Sequence, residues 1–426
     1  MKEKEDLSTG EWNPDWDRGE WAFVDLEICS PFEGLPKKGG LLCRDGIVVK
    51  ALSSDELCTL NVSQPHQVSC GGKVIIPPLW DMLAVLGEPH MSARESFSTL
   101  KKAAFAGGFE HIGVRAGEDF EIVYIEQVAS IAKSGFLPIA NLTRKNGSDL
   151  VDIGRLKEAG AVAFYQDPKI STAMLFRAMQ YGASFGLPIF IRLGDADLEG
   201  LGEMNEGVVS QRIGLRGIPS CSEELSLSRA IALAQLTKAQ IHVSHISTGR
   251  GVELVADAKN RGVNISCSVA ARTLILSDLD IEEDLYNTNL RLLPPLGGEH
   301  DREALINGVR SGIIDGIFSD HQPLTVEEKE GCFSEVRSGA IGLETAFSAA
   351  LTALKDPYLV VERFLFWSKL LDKKTKGLIG SKISDMLTLD QLEWWIPKPP
   401  FNSKGSNEPL LRKSLQGDLS WFKPKR

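Results

Sequence analysis

Between residues 78 and 320 the chain alternates short apolar runs, rich in β-branched and aromatic residues, with longer stretches of helical periodicity. The runs at 78–85, 111–114, 138–142, 161–165, 188–192, 241–245, 263–269 and 316–320 read as strands. Stretches such as 93–106, 172–185, 222–237 and 251–259 read as helices. Eight strands separated by helices predict an α/β fold, a (β/α)8 TIM-type barrel. Such a barrel carries its chemistry at the C-terminal ends of the strands. The two ends of the chain read differently. Leu41 to Lys50 is a hairpin pattern around Asp45-Gly46, a favoured turn pair. The last stretch is short, broken by Pro and Gly, and contains Trp394, Trp395 and Trp421. The expected division is a small β-sandwich-like domain built from 1–77 and 376–426, beside a barrel spanning 78–375.

Composition narrows the function classes. A chain of 426 residues with 43% hydrophobic content can bury a large core. A net charge of -10 argues against nucleic-acid binding. The basic tail Lys423-Pro424-Lys425-Arg426 reads as a solvated terminus. The segment 1–17 has no apolar run, so no signal peptide is expected. No run of ~18 uninterrupted apolar residues predicts a membrane span. The 7 cysteines form no C-x-x-C pair, which fits reduced thiols in the cytoplasm. No G-x-S-x-G, P-loop or dinucleotide-binding glycine motif opens a helix after a strand.

Several segments carry a more specific pattern. These are Met204-Asn205-Glu206-Gly207-Val208-Val209-Ser210, Gly214-Leu215-Arg216-Gly217-Ile218-Pro219 and Glu223-Glu224. Further on come Pro294-Pro295-Leu296 with Asp301-Arg302-Glu303-Ala304-Leu305, and Ile341-Gly342-Leu343-Glu344-Thr345-Ala346. Ala106-Gly107-Gly108-Phe109 closes the first helix, and Asn407-Glu408-Pro409-Leu410 with Leu415-Gln416-Gly417 ends the pattern. Together they resemble the dihydroorotase family of the amidohydrolase superfamily of metallo-dependent hydrolases, over nearly the whole chain.

The resemblance implies a metal site, and this sequence departs from it. The family's first strand carries D-x-H-x-H; here it reads Asp81-Met82-Leu83-Ala84-Val85. Leu83 and Val85 therefore stand at histidine-ligand positions and have no lone pair to donate. Their spacing points both to one face, now an apolar one. The family's substrate-binding arginine is Gly87 here, after which Glu88-Pro89 resumes the pattern. A fifth-strand histidine ligand has become Arg192, a permanent cation that repels a metal. The family's P-H-H run is Ala270-Ala271-Arg272, its substrate-binding asparagine is Leu293, and a following arginine is Gly297. Three implied positions survive. His245 matches the sixth-strand ligand, Asp320 the general base after the last strand, and Asp167 the carboxylate ligand after strand four, although Pro168 replaces a glycine there. Two arrangements remain open for them. They can converge on a reduced metal site, or Arg192 can pair with Asp320 or Asp167 and satisfy the mouth without a metal. His242 and His245 lie three apart and should face opposite sides; His321 should point away from Asp320.

The implied function is that of a non-catalytic dihydroorotase-like protein of pyrimidine biosynthesis, a pseudoenzyme with no cofactor. By the same resemblance it would be a structural partner of aspartate carbamoyltransferase in a hetero-oligomer. The alternative is an active hydrolase of cyclic amide C–N bonds, interconverting carbamoyl aspartate and dihydroorotate with one zinc ion. A third reading is a binding protein in which Arg192 and Arg272 hold a carboxylate or phosphate.

Overall fold

The computed structural model describes residues 5–6, 17–31, 33–35, 37–59, 66–116, 124–144, 147–200, 202–284, 286–375 and 377–422. The basic tail and most of the first 17 residues lie outside them. Six strands come first: β1 (Glu5–Asp6), β2 (Glu20–Ile28), β3 (Lys38–Arg44), β4 (Ile47–Ser53), β5 (His66–Ser69) and β6 (Val74–Ile76). The turn between β3 and β4 is the expected one. Asp45 and Gly46 both take positive φ, 50° and 75°, as a two-residue hairpin turn demands.

The barrel follows. Its strands are β7 (Leu79–Leu86), β8 (Phe109–Ala116), β9 (Leu137–Asn141), β10 (Ala163–Gln166) and β11 (Ile189–Arg192). After a short excursion with β12 (Met204–Asn205) and β13 (Gly217–Ile218) come β14 (Ile241–Ser244), β15 (Ile265–Ala270) and β16 (Gly316–Phe318). All eight predicted strands are present, joined in chain order by seven parallel pairings. Helices cover the outside, for example Phe97–Ala106, Thr172–Ala183, Cys221–Thr237 and Gly249–Asn260. Side-chain caps at Ser96, Ser171 and Thr248 fix the starts of the first, second and fourth of these. Phe164, Phe190, Phe318 and Trp367 fill the core without exposure to water.

The seam between β7 and β16 is closed mainly by a side chain. Asp81 is fully buried on β7. Its carboxylate accepts the Ser319 backbone N–H and the Ser319 hydroxyl, each at 2.6 Å. The Val85 N–H adds a bond to the His321 carbonyl at 2.9 Å.

The last two strands, β17 (Leu387–Trp395) and β18 (Leu415–Trp421), return to the first sheet. β17 pairs antiparallel with β6 through Thr388 and Ile75, so both ends of the chain share one 8-stranded sheet. Trp21, Phe23, Leu41, Ile75, Ile383 and Met386 form its own apolar core. No helix among the described residues is long and apolar enough to cross a membrane.

Candidate functional site

The candidate site is the barrel mouth, where the strands end. β14 ends into His245 and β16 into Asp320, both non-glycine residues with left-handed backbone, φ 63° and 49°. The His245 Nε2–H donates to Asp320 Oδ1 at 2.8 Å, and His245 Nδ1 lies 2.9 Å from the Ser244 hydroxyl. The Phe318 ring stands edge-on to the imidazole. Gln322 Nε2 donates to the same Asp320 oxygen at 2.6 Å. Arg272, from the short turn after β15, donates from Nη1 to Asp320 Oδ2 at 3.3 Å. Its Nη2 reaches the Ser319 carbonyl at 2.8 Å and also the Asp320 carbonyl. Burial alone would raise the Asp320 pKa. Interaction with His245 and Arg272, with the hydrogen bonds from His245 and Gln322, overcomes it and holds the carboxyl well below the ordinary carboxylate range.

A second ion pair lies beside it. Arg192, at the end of β11, binds Glu199 in a fork, Nη1 to Oε1 at 2.8 Å and Nη2 to Oε2 at 3.0 Å. Gly194 makes room for this. With φ 130°, any Cβ there would lie 1.9 Å from Glu199 Oε1. Asp167 is the weaker partner, 3.5 Å from Arg192 Nε, with its side chain 43% exposed. Tyr165 donates its hydroxyl to Asp167 at 3.1 Å, and the Arg115 guanidinium lies over the Tyr165 ring.

The degenerate positions are occupied or closed. Leu83 is buried, with φ 67°, and it sits in a bulge of β7. The bulge breaks the alternation, so the expectation that Leu83 and Val85 share one face does not apply to this strand. At Gly87 a Cβ would lie 2.1 Å from the Met91 carbonyl oxygen, so the loop leaves no room for any side chain. At Gly297 a Cβ would lie 2.8 Å from the Asp301 Cβ and 3.1 Å from the Ser247 carbonyl oxygen. The Gly87 position is thus closed by backbone, and the Gly297 position is crowded first by the Asp301 side chain. Leu293 is half-buried.

The structure brings together His245 and Asp320 but leaves Asp167 with Arg192 and Tyr165. Of the two pairings open for Arg192, the one with Asp167 is present at 3.5 Å; Asp320 is instead met by Arg272, which enters from the adjacent strand end. Among the described residues no group of three or more His, Cys, Asp or Glu is arranged to hold a metal. The metal that the resemblance implies therefore does not fit this donor set. His245 spends its Nε2 on a carboxylate, and two guanidinium ions stand where further ligands or the metal charge would be. Glu199 was not legible from the sequence; an arginine followed two residues later by glycine, in a loop with acidic residues, is its only trace.

His242 and His321 lie away from this cluster. His242 is buried in the barrel between the Ser266 and Ser268 hydroxyls, each 2.9 Å from a ring nitrogen. Burial, and then Lys259, keep its pKa well below the ordinary histidine value. His321 donates from Nε2 to the buried Glu95 at 3.2 Å and accepts the Gly342 N–H at Nδ1. Glu95 also accepts the Ser403 hydroxyl at 2.5 Å. Through Ser403, Asn407 and Glu408 the C-terminal stretch is laced onto the mouth; the Asn407 carboxamide accepts the Leu324 N–H and donates to the Gln322 carbonyl.

Glu408 is buried, accepts Thr345 Oγ1 at 3.1 Å and the Leu410 N–H at 3.0 Å, and has its pKa pushed by burial to about 7. The unfolded chain ionises this carboxyl near 4.5, so stability present below that value is lost as pH rises to about 7. Glu408→Gln is therefore expected to stabilise the protein by up to about 3 kcal/mol near pH 8 and to change little near pH 4. Thermal melts at both pH values measure it; an equal effect at both would refute the assignment.

A family profile described as dihydro-orotase-like matches residues 72–250. The dihydroorotase of Thermoanaerobacter sp. (strain X514) is 34% identical over 388 residues, 87% of this chain and 88% of that protein. The dihydroorotase of Anaeromyxobacter sp. (strain K) is 31% identical over 406 residues, 92% of this chain and 93% of that protein. Among solved structures, the L-hydantoinase (dihydropyrimidinase) of Arthrobacter aurescens superposes with a TM-score of 0.79 at 19% identity, covering 95% of this chain and 96% of that one. Its likeness speaks for the barrel and the β-rich domain alone. With a barrel of this topology and relatives of this identity along most of its length, the chain belongs to the dihydroorotase family.

Proposed function

We propose that this protein is a non-catalytic member of the dihydroorotase family, acting in pyrimidine biosynthesis as a structural partner of aspartate carbamoyltransferase. The observation that carries the first half is the state of the mouth. Two ligand positions are aliphatic, a third is a paired arginine, and the substrate-arginine position is Gly87, closed by the Met91 backbone. Hydrolysis by metal hydroxide needs ligands that this arrangement lacks. The partner rests on the family resemblance, and the retained fold supports a scaffold role. Purified protein supplied with zinc is expected to show no interconversion of carbamoyl aspartate and dihydroorotate and to hold far less than one zinc per chain. Co-expressed with aspartate carbamoyltransferase, it is expected to elute with it in size exclusion. Separate elution at micromolar concentration would end the scaffold reading.

The second reading is an active dihydroorotase. The names of the relatives and the retained His245–Asp320 pair favour it. It requires near-stoichiometric zinc and a turnover that Asp320→Asn abolishes, and that pair of results would replace the first reading.

A further inference from the structure

We propose that the Arg272 guanidinium is the resident cation of the barrel mouth, doing for Asp320 and for the strand ends what a bound metal ion would otherwise do. This rests on the non-catalytic reading above and gives it a physical cause. Asp320 is buried, and a buried carboxylate needs compensating charge. Among the described residues its carboxylate takes donors from His245, Gln322 and Arg272, and of these only the guanidinium carries a permanent charge. Arg272 is itself 3% exposed, so both charges are withdrawn from water together.

The guanidinium also fastens the backbone. Nη2 donates to the carbonyls of Ser319 and Asp320, the stretch where φ at Asp320 is 49°. Ser319 in turn donates to Asp81 across the seam. One side chain thus joins the ends of β15 and β16 and, through Ser319, β7. A metal ion ties strand ends together through side-chain ligands; here the tie runs largely through carbonyl oxygens. The berth is fitted to it. At Gly342 a Cβ would lie 2.4 Å from the Ser319 carbonyl oxygen and 3.5 Å from Arg272 Nη2. Occupancy is also exclusive. Asp320 Oδ1 already takes two donors and Oδ2 takes the guanidinium, so a metal entering here would displace His245, Gln322 or Arg272 and meet a like charge.

The test is a double-mutant cycle on the full chain, read by urea denaturation. Arg272→Met alone should lower the folded-to-unfolded ratio by about 100-fold or more, because it strands a buried carboxylate. In the Asp320→Asn background the same change should cost at least about tenfold less. Arg272→Lys should retain more of the ratio than Arg272→Met. If Arg272→Met does not fold, recovery of a cooperative transition in Arg272→Met/Asp320→Asn supports the proposal. Equal losses in both backgrounds, or a lysine variant no better than methionine, overturn it, because a packing role alone gives those results. Zinc uptake with turnover by the wild-type protein would instead overturn the non-catalytic reading, whatever the cycle shows.

Discussion

Glu199→Ala is expected to cost about 3–5 kcal/mol of folding stability, the usual penalty for removing one partner of a buried ion pair. Both side chains are largely shielded, Arg192 at 13% and Glu199 at 11% exposure. After the change, the Arg192 guanidinium keeps, among the described residues, Asp167 at 3.5 Å and the Leu193 carbonyl at 3.3 Å. Neither restores the fork. Its desolvation remains, and the compensating charge does not. The companion variant Arg192→Met/Glu199→Ala should recover most of the loss, since an apolar replacement of a buried pair is often neutral. Urea midpoints of the three proteins decide the matter. A Glu199→Ala loss below about 0.5 kcal/mol would mean that the pair is effectively solvated.

Asp81→Ala is expected to do comparable damage at the seam. It orphans two buried donors, the Ser319 N–H and hydroxyl, at about 1–3 kcal/mol each. The loss should be local as well as global, with faster hydrogen exchange at the Val85 amide than at central strands such as β10. Asp81→Asn should be milder, because its carbonyl can still accept the N–H and its amide can donate to the hydroxyl oxygen. The pH dependence separates the two variants from wild type. Burial pushes the Asp81 pKa from 3.8 to about 7. Stability present below 3.8 is lost as pH rises to about 7, where the folded protein must ionise a desolvated carboxyl. Asp81→Asn should flatten that slope. An unchanged slope between about pH 4 and pH 7 would show that Asp81 does not titrate there.

How much of this was legible follows from the range of each interaction. The barrel strands were legible because their patterning is local; every predicted run became a strand, with ends shifted by a few residues. The bulge at Leu83 was not, because nothing about a leucine announces a positive φ. His245 and Asp320 could be singled out by their flanking motifs. Asp167 could be named for Arg192, but the stronger partners of the arginines could not. Arg192 finds Glu199 only because Asp195 caps a short helix, Ala196–Glu199, that folds back over the strand end. Arg272 finds Asp320 only when β15 and β16 lie side by side. Likewise Gly87 and Gly297 show in the sequence a missing arginine, while the missing space belongs to the folded loops.

The pairing of β6 with β17 has a consequence for the order in which the protein is made. β6 is synthesised before the whole barrel and β17 after it, and the first sheet is incomplete until both exist. The C-terminal stretch that binds Glu95 and Glu344 at the mouth is also made after the barrel strands. During translation the early strands therefore wait, with Val74 and Ile76 uncovered on one edge, while eight barrel strands emerge. The ribosome thus holds back the last part of the first sheet, so a late pause or a truncation before β17 would release a nearly full-length chain whose first sheet lacks its last two strands and whose Glu95 and Glu344 lack their C-terminal partners.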